Sequence, residues 1–298
     1  MSQDRHILHT GVTLMPGVPL NVYALRGSEY SVIVDTGIAA MRDGIVGLCR
    51  DAGNLRYALI THAHADHIGC NRAVREATGA RFAAAGAFAW IEDLDLHYRE
   101  FCLVDEASLP DSPQQRSEIL GLMDGEVHCD IALSEGTRFR LGDDLELETI
   151  TLPGHKSEEV AFLDRERGDL FMGDLLLALA APFFHGFQTA SGFNASLDRL
   201  AALIGNGVVR RVFPAHHPVL DREAALAAIA DTRRFLDDVE TATIAAATGL
   251  TFPDLWRAVC RALGKQLEFR GYAMLDVQVA ELVDRGILAL DGKRIVRK

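Results

Sequence analysis

Four segments far apart in the chain each set cation-binding side chains directly behind a short apolar run, and this repeated placement constrains the fold more than any other feature. In THAHADHIGC, behind the strand-like Tyr57-Ala58-Leu59-Ile60, His62 and His64 lie two residues apart. In an extended loop both rings then point to one side and reach one cation. Asp66 and His67 fall where a helix is predicted to begin, running to about Thr78 and closed by Gly79, near enough to face a second cation. Imidazole and carboxylate donors suit zinc, iron or manganese. Pro153-Gly154-His155, Gly173-Asp174 and Pro214-Ala215-His216 follow the predicted strands Leu145 to Thr151, Leu170 to Met172 and Val208 to Phe213. Strand ends are where open α/β folds place their chemistry. A single histidine there is ordinary; this order, with these neighbours, reads as a metal site.

The rest of the chain fits a layered sheet-and-helix fold. Leu20 to Leu25 and Ser31 to Asp35 read as adjacent strands around the Arg26-Gly27-Ser28 turn, followed by a helix from about Ala39 to Ala52 and a strand over Arg81 to Ala84. Residues 86–125 are helix-rich and form an insertion between motifs, in a position suited to a lid. A further strand spans Val160 to Leu163 and a helix about Ala195 to Ile204. Beyond residue 220 the pattern changes to three helices, over Asp221 to Ala247, Phe252 to Leu263 and Ala273 to Gly286, and a hairpin around Asp291-Gly292. This divides the chain into a catalytic domain over 1–219 and a helical, winged-helix-like module over 220–298.

Composition narrows the partners. The net charge of −12 opposes binding to a polyphosphate backbone, although the tail KRIVRK is basic. Asp254, Glu268, Asp276, Glu281 and Asp284 are interleaved in the same module. Nucleic acid is therefore a disfavoured partner, and a role in covering the site or in forming a homodimer is expected instead. No apolar stretch reaches the ~20 residues a bilayer requires, and the start carries early charge without a signal-like apolar region, so a soluble, cytoplasmic protein with no membrane contact is expected. Cys49, Cys70, Cys102, Cys129 and Cys260 are scattered, without a CxxC pair, and read as reduced thiols.

Taken together, HxHxDH, the later His155, Asp174 and His216, and their order resemble the metallo-β-lactamase superfamily over roughly residues 10–218. The resemblance implies an αββα four-layer sandwich. It also implies one metal held by His62, His64 and His155, a second held by Asp66, His67 and His216, and Asp174 bridging them, with zinc the usual ion and iron or manganese as alternatives. Asp35, in Asp-Thr-Gly, matches the motif that braces the ligand loop. Two departures stand out: Lys156-Ser157-Glu158-Glu159 replaces the Thr or Ser and Gly that usually follow the third motif histidine, and His217 replaces a glycine.

The implied chemistry is hydrolysis by a dinuclear-site hydroxide, with Asp66 moving the proton. Asp rather than Cys at position 174 speaks against a true β-lactamase, and the intact ligand set is similar to the glyoxalase II, thioesterase and lactonase branches. Phe183, Phe184, His185 and Phe187 behind Asp174, with His217, are candidates for walling an apolar acyl pocket for a small-molecule substrate, a thioester or lactone. A phosphodiesterase or ribonuclease, and an iron-dependent persulfide dioxygenase, are the alternatives. Glu158 and Glu159 read as an exposed strand start, and His97 as a structural or solvent-facing residue.

Overall fold

The computed structural model describes residues 6–101, 113–183, 186–187, 190–267 and 269–298. The first half contains β1 (Ile7–Met15), β2 (Val18–Arg26), β3 (Ser31–Val34), α1 (Arg42–Ala52), β4 (Leu55–Leu59), α2 (Asn71–Thr78) and β5 (Arg81–Ala84). Helices α3 (Phe88–Glu92), α4 (Leu94–Phe101) and α5 (Pro113–Leu120) precede β6 (Ile131–Ala132). These six strands form one sheet in the order β1-β2-β3-β4-β5-β6. The second half contains β7 (Arg138–Arg140), β8 (Glu146–Thr151), β9 (Val160–Asp164), β10 (Asp169–Met172), α6 (Ala190–Gly205), β11 (Arg211–Pro214) and β12 (Leu220–Asp221). They make a second sheet, β12-β11-β10-β9-β8-β7.

Period-two alternation sorts the strand side chains into separate layers, because successive residues of a strand face opposite sides of its sheet. On β2 and β3, Val22, Ala24 and Ile33 meet the helices on the outer face of the first sheet. Their neighbours Tyr23, Leu25, Val32 and Val34 point inward against Phe162, Phe171 and Phe213 of the second sheet. Ala161, Leu163, Leu170 and Val212 turn to the opposite outer face, onto α6 and the C-terminal helices. Helix, sheet, sheet and helix therefore stack as the αββα sandwich.

Strand direction brings the motif residues to one edge. β8 and β10 each pair antiparallel with β9, so they run the same way, and β11 is parallel to β10. His155, Asp174 and His216 consequently leave the sheet at the same end. In the other sheet β3 and β4 are parallel, so Asp35 and the His62 loop emerge side by side. Backbone hydrogen bonds from Val160 N to Thr61 O (3.0 Å) and from Asn21 N to Ala215 O (2.9 Å) tie the two sheets together at this edge.

Several boundaries differ from the sequence reading: α6 starts at Ala190 rather than about Ala195, α9 at Phe269 rather than Ala273, and β11 at Arg211 rather than Val208. Helix α2 starts at Asn71 rather than Asp66 or His67, and residues 61–70 form an ordered loop. Its carbonyls are already engaged: His67 O accepts from Thr36 N (2.8 Å) and Gly69 O from Asp124 N (2.8 Å), leaving them unavailable to a helical ladder. β1 was not foreseen. It is an edge strand with mostly half-buried or exposed residues, so its alternation is weak in sequence.

Beyond β12 come α7 (Arg222–Ala246), β13 (Thr248–Thr251), α8 (Phe252–Ala262), α9 (Phe269–Asp284), β14 (Leu288–Asp291) and β15 (Arg294–Arg297). Asp221 caps α7 by accepting from Ala224 N at 2.9 Å, and Pro253 sits in the first turn of α8, where its missing N–H costs nothing. The small sheet runs β13-β15-β14, one strand more than the expected hairpin. Its apolar residues Leu255, Val259, Leu275 and Leu282 join the same cluster as Leu163, Phe193 and Leu200, so this segment shares the core of the second sheet. Among the described residues no helix is long and apolar enough to cross a membrane.

Phe162 is fully buried between the sheets. Phe162→Ala is expected to lower the unfolding free energy by about 3–5 kcal/mol, measured by urea denaturation.

Candidate metal centre

The seven motif side chains meet where the two sheets' strand ends converge. The ligand-type atoms of His62, His64, His155 and Asp174 lie within 4.8 Å of one another, and so do those of Asp66, His67 and His216. Asp174 stands between the two groups: its carboxylate is 3.3 Å from His67 Nε2, 3.4 Å from His155 Nε2 and 3.5 Å from His216 Nε2. Asp66 Oδ2 is 3.2 Å from His216 Nε2.

Each ring is oriented from behind. Asp35 accepts from Thr61 N (2.8 Å), Thr61 Oγ1 (2.8 Å) and His67 Nδ1 (2.8 Å). Since Thr61 Oγ1 gives its proton to Asp35, the His62 Nδ1–H, 3.2 Å away, donates to that hydroxyl. His155 Nδ1 donates to Gly186 O (2.6 Å) and His216 Nδ1 to Pro19 O (2.9 Å). In four of the five rings Nδ1 is thus committed outward and Nε2 is turned inward, while His64 presents Nδ1. Such outer partners fix the tautomer and raise the basicity of the inward nitrogen.

The cluster fits divalent cations by its own chemistry. His64 Nδ1 lies 3.1 Å from His62 Nε2 and 2.9 Å from His155 Nε2, a triangle of inward nitrogens whose lone pairs need a shared positive charge between them. Burial, reinforced by the neighbouring imidazoles, holds His62 and His64 well below the usual histidine range, so both offer lone pairs. The other half behaves oppositely. Burial pulls His216 down, but Asp174 and Asp66 outweigh it and raise it to about 10, and Asp174 and Asp35 likewise outweigh burial at His67. With no cation present, protons balance the carboxylates there.

Backbone geometry allows this crowding. A Cβ on Gly173 would come within 2.8 Å of Thr61 Oγ1 and 2.9 Å of His62 Nδ1, so only glycine lets β10 deliver Asp174 this close to the histidine loop. Asp35 itself adopts φ 58°, an uncommon conformation for a residue with a side chain, held by its three hydrogen bonds.

Sequence reasoning missed several contributors. Glu159 is buried rather than exposed, and Glu158 only half-buried. One Glu159 oxygen accepts from Asp174 N (2.6 Å) and Leu175 N (3.0 Å), fixing the turn that carries Asp174. Burial and the nearby Asp174 push its carboxyl well above the usual range. A single acid directly before a buried strand was the available signal. Lys156 is also buried, its ammonium 3.6 Å from the centre of the Trp90 ring and 3.8 Å from Glu158, and burial lowers its pKa. His97, fully buried, packs behind Trp90 and is held low, at about 4, by burial.

A cavity of about 380 Å³ opens onto the centre. His64, Asp66, His155, Asp174 and His216 form its polar side, and Trp90 and Phe101 from the 86–125 insertion line it too. Phe183 and Phe187 line it as expected. Phe184 and His185 lie outside the described residues. His217 is not among the lining residues: its Nε2 meets the carbonyls of Leu176 and Leu177 at 3.1 and 3.2 Å, tying the loop after Asp174.

Fold and site together define a metallo-β-lactamase-type protein, and comparison with known proteins agrees. The family model described as Metallo-beta-lactamase superfamily matches residues 15–89. The chain is 26% identical over 215 residues to the acyl-coenzyme A thioesterase MBLAC2 of Bos taurus, covering 66% of this chain and 72% of that protein. It is 32% identical over 200 residues to a hydroxyacylglutathione hydrolase of Methylococcus capsulatus, covering 65% of this chain and 61% of that one. A metallo-β-lactamase family protein from Thermus thermophilus superposes with a TM-score of 0.73 at 19% identity, over 98% of this chain and 99% of the other. Residues 15–89 thus match the model of the metallo-β-lactamase superfamily, and the chain as a whole has the fold of such proteins.

Asp35→Ala removes the shared brace of His62 and His67. It is expected to weaken cation binding about 10–100-fold, read by competition with a chromophoric chelator.

Proposed function

We propose that the protein is a metal-dependent hydrolase of thioesters or lactones with an apolar acyl part. The observation that carries this reading is that five of the seven cluster residues, His64, Asp66, His155, Asp174 and His216, lie on the wall of a largely apolar cavity. Two divalent cations, taken as zinc because that is the usual ion of the family the chain resembles, held by His62, His64 and His155 and by Asp66, His67 and His216 with Asp174 between, would lower the pKa of water and polarise the scissile carbonyl. The names of the relatives, an acyl-coenzyme A thioesterase and a hydroxyacylglutathione hydrolase, support a thioester.

The chain's own groups supply the rest. Asp66, the one partly exposed carboxylate of the cluster, faces the cavity; its side chain is 23% exposed. It accepts a proton from the attacking water and returns it to the leaving sulfur or oxygen. Trp90, Phe101, Phe183 and Phe187 exclude water around the acyl part. Lys156, pinned over Trp90, places a hydrogen-bond donor on the same wall for a substrate oxygen.

The test is turnover of acyl thioesters, lactones and phosphodiesters by zinc-loaded and chelator-treated protein. Thioester or lactone hydrolysis is expected, lost on chelation and in His64→Ala. Asp66→Asn should lower kcat by about 10²–10⁴-fold. Turnover of the phosphodiester alone would overturn the proposal.

A further inference from the structure

The apolar wall of the cavity has a contributor far away in sequence. Alongside Phe183 and Phe187 it includes Ala273 and Met274 of α9, with Met274 completely buried. Helix α9 is the second helix of the α8–α9 pair, the position whose outward face enters the DNA groove in helix-turn-helix proteins. Here Ala273 and Met274 are turned onto the cavity instead, and Leu275 beside them sits in the main apolar cluster.

The helix is held there by directional bonds as well as by packing. Between α8 and α9, Lys265 Nζ donates to Leu179 O (3.0 Å) and Ala181 O (2.7 Å), and Gln266 N donates to Pro182 O (2.8 Å). Two turns past Met274, the Glu281 carboxylate accepts from Ala190 N (3.0 Å) and Ser191 N (3.2 Å) at the start of α6. These contacts hold residues 179–182, just before Phe183, and the start of α6, just after Phe187. Burying the lysine ammonium is unfavourable, as its lowered pKa reflects. Two carbonyl acceptors offset that cost only when the linker is seated on this loop. α9 and the described residues after Asp174 therefore share one wall, with an unbranched, adaptable side chain where they meet the cavity.

We infer that Met274 is a specificity-determining residue: as part of this wall it sets the length of acyl chain the cavity accepts. The inference rests on the hydrolase reading above and assigns the C-terminal module a share in substrate selection. The experiment compares Met274→Ala and Met274→Phe in the full-length, zinc-loaded protein across straight-chain acyl-coenzyme A thioesters from acetyl to palmitoyl. It is paired with calorimetric binding of the matching fatty acids and with metal content.

A pocket contact distinguishes substrates differing by one methylene by about tenfold or more. Met274→Ala is therefore expected to move the ratio of kcat/KM for long over short chains upward by at least that factor, and Met274→Phe to move it downward, with two metals retained. The binding series should shift in the same directions. If Met274→Phe does not fold, the Met274→Ala profile decides alone. An unchanged chain-length profile, or an equal loss at every length, in a folded and metal-loaded variant overturns the role of Met274 and leaves the hydrolase reading standing. Failure of the unmodified protein to turn over any thioester in the series, or any lactone, removes both.

Discussion

Asp35 is the residue on which the geometry of the centre depends. Its two oxygens receive three donors, from the backbone and hydroxyl of Thr61 and the ring of His67, and through Thr61 they also set His62. One buried carboxylate thereby orients a ligand-type ring in each half of the cluster. Burying so many ionisable groups is costly unless each is paired or hydrogen-bonded. The arrangement meets that condition by giving every Nδ1 except that of His64 an outward acceptor and leaving the inward positions to positive charge. The positive φ of Asp35 is tolerated because the surrounding bonds over-determine it.

The same principle extends outward. Glu159 holds the backbone of Asp174, and His217 holds the carbonyls of Leu176 and Leu177, so the loop leaving the centre is fixed at successive residues. Lys265 and Gln266 take the carbonyls a few residues further on. The cavity wall is thus continuous with the metal-type cluster: a displacement of α9 would be felt through the post-174 loop. This gives a physical reason for a C-terminal module that shares the core of the second sheet rather than hanging from a linker.

What could be read beforehand depended on range in sequence. The apolar-then-polar rhythm of Tyr57 to His67, and of the segments ending at His155, Asp174 and His216, is local, and it identified every member of the cluster, whereas Asp35 came from the resemblance of Asp-Thr-Gly to the family's motif. The strand character of β2, β3, β9 and β10 and the helix stop at Gly79 were legible for the same reason. Residues 66–70 were misread as the start of a helix because their competing partners, Thr36 and Asp124, lie dozens of positions away. Glu159 looked like a solvent-facing acid, since nothing adjacent to it announces that Asp174 and Leu175 will turn their N–H groups toward it.

The amino-acid sequence alone therefore determined the donor types, their order and their placement at strand ends, because these follow from local patterning and from the chemistry of imidazole and carboxylate. Only the tertiary structure decided which ring nitrogen faces inward, which acid is buried, that His217 ties a loop rather than lining the cavity, and that Met274 reaches the cavity from the far end of the chain. Those outcomes depend on hydrogen bonds and contacts between residues separated by tens to hundreds of positions. No local pattern encodes them, and they exist only once two sheets and three C-terminal helices have packed.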